Sequence, residues 1–171
     1  MRHPRRFAPL LVACAVLAGA AATGAAARAG AEEAHGHVAV HGGCLNEIGG
    51  CENGHAEVKL EGQRLRMWLV GGGSNTAASM RVPDASIALA ITLPGQPPRT
   101  LVLPAKPLIL AEETVGSCSY FEASADWLAG ATAFKATGGL TFNGKKAELV
   151  IEYPQGFDPD HDAPAAPAPA K

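Results

Sequence analysis

After the apolar stretch at the N-terminus, no run approaches the roughly 18 residues needed to cross a bilayer, so no transmembrane segment is expected in the rest of the chain. Positive charge is also short there. Four of the 14 Lys and Arg fall within residues 1–31, and none of the 16 Asp and Glu does. Without those residues the 171-residue chain would keep 140 and carry a formal charge of −6, which disfavours nucleic acid as a partner. That length accommodates one domain of ordinary size and not two separate cores. Helical periodicity is scarce: Ala123–Gly130, with Trp127 and Leu128, has room for a helical turn or two. Catalytic signatures are missing as well. Ser74, Ser79, Ser117 and Ser119 stand in no Gly-x-Ser-x-Gly elbow. Gly71-Gly72-Gly73 precedes neither a helix pattern nor a Lys-Ser/Thr pair, so it reads as a flexible turn at a strand end rather than a phosphate loop. No reaction is named by these residues, and an enzyme is not expected.

What is present begins with an address. Met1–Arg6 holds three arginines, Phe7–Ala22 is almost wholly apolar, and Ala-x-Ala patterns end at Ala27, Ala29 and Ala31. Residues 1–31 are expected to be a secretory signal peptide, which places the product in the periplasm or outside the cell. Leu11-Val12-Ala13-Cys14 has the form of a lipoprotein box, but the apolar run continues beyond it to Ala22, which disfavours lipidation at Cys14. At the other end, residues 158–171 are acidic and then alternate Pro with Ala. Such a tail can neither close a helix nor pair in a sheet, and disorder is expected.

Between them, residues 32–157 are dominated by a period of two. Ala56–Leu60, Leu65–Val70, Ser86–Leu93 and Ala147–Tyr153 alternate, and each is bounded by Gly, Pro or Asn. Asn143-Gly144 is the strongest hairpin signal, because both central positions of a type I′ turn need positive φ. Seven to nine short strands in about 120 residues predict a single all-β domain, an immunoglobulin-like antiparallel β-sandwich, with a small barrel as the competing architecture.

The chemistry-bearing residues crowd into one stretch. His35, His37, His41, Cys44, Cys51, His55 and Glu57 lie within 23 residues. Imidazole and thiolate suit borderline and soft metals, so copper or zinc fits the crowd, although the spacing is neither that of a zinc finger nor His-Glu-x-x-His. Each histidine also has a plain reading. His35 and His37 follow the cleavage region and are expected to be solvated, His41 could simply pack on the Gly42-Gly43 turn, and His55 could face solvent from its strand. Three cysteines remain after the leader: Cys44, Cys51 and Cys118. In an oxidising compartment one disulfide is expected, with one thiol left over. A local Cys44–Cys51 bridge and a long-range Cys51–Cys118 bridge both satisfy that arithmetic, and thiolate ligation of a metal competes with either. A thiol-dependent enzyme would pair Cys118 with a distant His55, and no orienting third group stands at a recognisable spacing.

His41-Gly42-Gly43, Cys51-Glu52-x-Gly54-His55-Ala56-Glu57-Val58, Trp68–Gly72, Cys118-Ser119-x-Phe121 and Tyr153-Pro154-x-Gly156-Phe157-Asp158-Pro159 together resemble a group of small exported bacterial proteins of unsettled function. The opening is similar to periplasmic domains associated with heavy-metal efflux adaptors. The resemblance implies an envelope β-sandwich connected with metal handling and an efflux component as partner. It matches at His41, Cys51, His55, Glu57 and Cys118. On this reading His41 and His55 are imidazole ligands, and Cys51 and Cys118 are thiolates or the bridge that positions them. Glu57 accepts a hydrogen bond from an imidazole N–H behind the metal. The resemblance also favours Cys51–Cys118 as the bridge and Cys44 as the odd thiol. A structural or protein-interaction module without a metal is the alternative.

Overall fold

The structure, a computed structural model, describes residues 37–73 and 75–159. The expected signal peptide, the lipid-attachment alternative at Cys14, His35, and all but the first two residues of the expected tail lie outside the described residues.

Among the described residues eight strands form two antiparallel four-stranded sheets packed as a β-sandwich: β1 Cys44–Glu47, β2 Gly54–Glu61, β3 Arg64–Gly71, β4 Ser86–Thr92, β5 Arg99–Pro104, β6 Tyr120–Ser124, β7 Phe134–Phe142 and β8 Lys145–Tyr153. The first sheet has the order β1-β2-β3-β6 and the second β5-β4-β7-β8. Among the described residues no helix is long and apolar enough to cross a membrane. The helical capacity read near Trp127 amounts to one 3-10 turn, Asp126–Leu128; a second, Ile109–Ala111, lifts Ile109 and Leu110 into solvent and had no periodic signal.

Alternation decides which side chains are inside. Leu65, Met67 and Leu69 of β3 point into the sandwich and are buried, while Arg66 and Trp68 lie on the outer face. Ile87, Leu89 and Ile91 of β4 and Leu149 and Ile151 of β8 meet them from the second sheet. Each such aliphatic side chain contributes about 1.5–3 kcal/mol by leaving water. Asn143 and Gly144 both have positive φ, 48° and 74°, and close β7 onto β8 with Phe142 opposite Lys145.

Two connections position the site. Asn46 of β1 is fully buried between the sheets. Its amide oxygen accepts from Glu152 N of β8 at 2.9 Å, and its amide nitrogen donates to Ala56 O at 3.2 Å. After β8 the chain turns and crosses to the first sheet, where Phe157 makes a parallel bridge to Asn46: Glu47 N donates to Phe157 O at 2.9 Å and Phe157 N to Leu45 O at 3.2 Å. At the far side of that sheet Ala105 bridges Phe121, and Lys106 N donates to Tyr120 O at 2.8 Å.

Candidate metal centre

His55 is the second residue of β2 and pairs with Val70 of β3. Because Ala56 and Val58 face the core, His55, Glu57 and Lys59 must face outward. Outward here does not mean solvated: His55 is 2 % exposed. The segment 37–43 lies across this face as a strap and corrects the expectation of a solvent-facing strand histidine.

The strap is fastened at several points. Thr76 Oγ1 donates to Val38 O at 2.8 Å and accepts from Val38 N at 3.3 Å. Glu57, fully buried, receives His41 N at 2.7 Å and Gly43 N at 2.9 Å on one oxygen and His41 Nδ1 at 2.8 Å on the other. The His41 ring lies flat on Trp68, with centroids 4.4 Å apart and planes 2° from parallel, and Trp68 stacks in turn on Tyr120. Gly43 is required here, since a Cβ at that position would run into Val58 O and the Glu57 side chain.

So held, the strap delivers His37 to the far end of β2. Its ring sits 4.7 Å from that of His55, and its Nε2 is 3.1 Å from Cys51 Sγ. Cys51 comes from the β1–β2 loop. That loop is closed by Ile48 N donating to Gly54 O and Asn53 N to Gly50 O, and tied to the end of β3 by Gly73 N donating to Cys51 O at 2.9 Å. The Gly71–Gly73 tract is thus close-packed rather than a loose turn, for a Cβ at Gly72 would overlap the Glu52 carbonyl. One ligand atom from each of His37, Cys51 and His55 lies within 4.8 Å of the others.

His55 is held in the form that can bind an ion. Burial lowers the His55 pKa below its ordinary value; a hydrogen bond to Gly71 O opposes this, the His37 ring adds to it, and the carboxylates of Asp158 and Glu52 oppose it. A carbonyl can only accept, so His55 Nδ1, 3.2 Å from Gly71 O, carries the proton and Nε2 keeps the lone pair. His37 Nδ1 is buried with no hydrogen-bond partner among the described residues, a cost of about 1–3 kcal/mol that a structural histidine would not be expected to carry. His37 and His55 also line one cleft of about 600 Å3, together with Glu47 and Asp158.

Of the residues expected to form the site, Cys51 and His55 meet. His41 and Cys118 do not belong to the converging group. His41 is turned to Glu57 and Trp68, so Glu57 does accept an imidazole N–H, but that of the strap's anchor rather than of a residue in the group. Cys118 is wholly buried; its thiol donates to Tyr120 O at 3.1 Å and to Glu113 Oε2 at 3.6 Å, and burial raises its pKa. No disulfide links Cys44, Cys51 or Cys118, which corrects the expected bridge. The reason is placement: Cys118 points into the core, Cys44 lies between the sheets beside Asn46 and Glu152, and Cys51 faces the histidines. His37 was read as solvated and is the residue that sequence reasoning missed. Its sole signal was membership of the crowd from His35 to Glu57. Compared with known proteins, the chain matches no family model, no curated protein and no solved structure.

Proposed function

We propose that this chain is an exported, non-enzymatic β-sandwich that binds a transition metal through His37, Cys51 and His55 and serves an envelope metal-efflux partner. The observation that carries the metal reading is the convergence of two imidazoles and a thiol within 4.8 Å. Support for export comes from the composition of residues 1–31, and support for the efflux partner from the resemblance at His41–Gly43 and Cys51–Val58. On binding, the Cys51 S–H gives up its proton and the sulfur takes the ion, so uptake releases protons and weakens as pH falls.

Metal analysis of protein purified without a histidine tag and kept reduced tests this reading. We expect one equivalent of copper or zinc per chain, lost in Cys51→Ser and in His37→Ala. Stoichiometric metal that persists in both variants would place the ion elsewhere, and no retained or titratable metal would favour a structural or interaction module.

A further inference from the structure

Resting on the metal reading above, we infer that the ion this site selects is monovalent copper, held by three ligands. The donor set excludes hard cations first: magnesium and calcium take oxygen ligands, and no carboxylate oxygen joins the converging group among the described residues. The choice lies between soft and borderline ions. Zinc in a structural site takes four protein ligands, whereas among the described residues three converge here. Charge separates the two further. Within the ligand set one thiolate balances a monovalent ion, whereas a divalent ion would draw also on the Asp158 and Glu52 carboxylates that act on His55. Thiolate sulfur suits both ions, and the softer of the two is copper in its lower oxidation state.

The geometry agrees with low coordination. Two ligands come from well-fixed backbone: His55 from inside β2, and Cys51 from a loop pinned to β3 through Gly73. The third arrives on the strap, so the ion is gripped between a sheet and a segment lying over it. The binding step balances as Cys51–SH plus Cu+ giving Cys51–S–Cu plus H+, with no change of oxidation state. Both imidazoles bind as neutral donors.

The test is an anaerobic titration of the full chain with Cu+ in competition with a chromogenic Cu+ chelator, run beside Zn2+ against a zinc chelator. X-ray absorption is recorded on the copper-loaded protein. We expect one Cu+ per chain, a three-coordinate edge with one sulfur and two nitrogens, and Cu+ displacing bound Zn2+. Cys51→Ser, on a half-exposed loop residue, should lose Cu+ in the competition while its circular dichroism stays that of the parent. Zn2+ that resists displacement by Cu+ and depends on Cys51 and His55 would overturn the monovalent assignment and leave the metal reading standing. Stable Cu2+ with an intense visible thiolate band would do the same. Failure of both ions to bind the reduced chain would overturn both readings.

Discussion

His55 is kept neutral by burial, and its proton is confined to Nδ1 by the Gly71 carbonyl. The lowered folded-state pKa fixes the sign of its pH dependence. Between that value and the ordinary 6.5, the unfolded chain binds a proton that the folded chain excludes. Stability from this residue is therefore complete above pH 6.5 and is lost as pH falls toward the folded-state pKa. For the metal-free protein, the urea midpoint should fall between pH 7 and pH 5, and His55→Gln should flatten that fall. An unchanged slope in the variant would show that His55 is not the group responsible. Cys44 and Cys118 illustrate the opposite use of burial. Their thiol pKa values are raised first by desolvation, which keeps both as packed neutral groups at neutral pH.

At the scale of elements, the strap decides whether the third ligand is present at all. The carboxylate of Glu57 takes its hydrogen bonds from His41 and Gly43 and so acts on His37 through the strap, which makes it a positioning residue. Glu57→Gln would face three N–H donors with one oxygen and an amide that itself donates. Metal affinity should fall by about 10–100-fold with the ligands intact, and Trp68 fluorescence should change as the His41 stack loosens. If Glu57→Gln binds as tightly as the parent, the docked strap is not what presents His37. This is also where legibility in the sequence divides. The strands at Leu65–Val70 and Ser86–Leu93 were readable because alternation is local to a few residues, and Asn143-Gly144 because its turn demands its own residues. The outward direction of His55 and Glu57 followed from the same parity. What covers that face did not, because seven residues without period dock through Glu57 and Trp68, partners 16 and 27 positions away from His41. Cys118 was opaque for a related reason: Gly116–Ser119 has no alternation that would tell a thiol in the core from one at the surface.

Across the whole molecule, the class of the fold was legible from the number and length of the alternating segments, whereas the strand order depended on pairings between distant residues, such as β3 with β6. The Asn46 side chain joins the layers. Asn46 gives its oxygen to Glu152 of the second sheet and its nitrogen to Ala56 of the first. In Asn46→Ala the half-buried Glu152 N–H would lose its acceptor. Chemical denaturation should show a loss of about 1–3 kcal/mol or more, since the Ala56 carbonyl loses a donor as well. A neutral result would mean that water or a shifted backbone replaces the amide.

The flanks of the first sheet have a further consequence. Phe157 occupies backbone groups of Leu45 and Glu47 along β1, and Ala105 and Lys106 do the same along β6 at Phe121 and Tyr120. Neither border of that sheet offers a long row of unpaired peptide groups as a template for another chain. The second sheet ends in β5 and β8; Glu152 N of β8 is taken by Asn46, and no backbone bridge covers either strand among the described residues. Strand-by-strand self-association, where it occurs, is thus directed to the second sheet. The layer that carries His55 is the one whose edge strands have backbone partners on both borders.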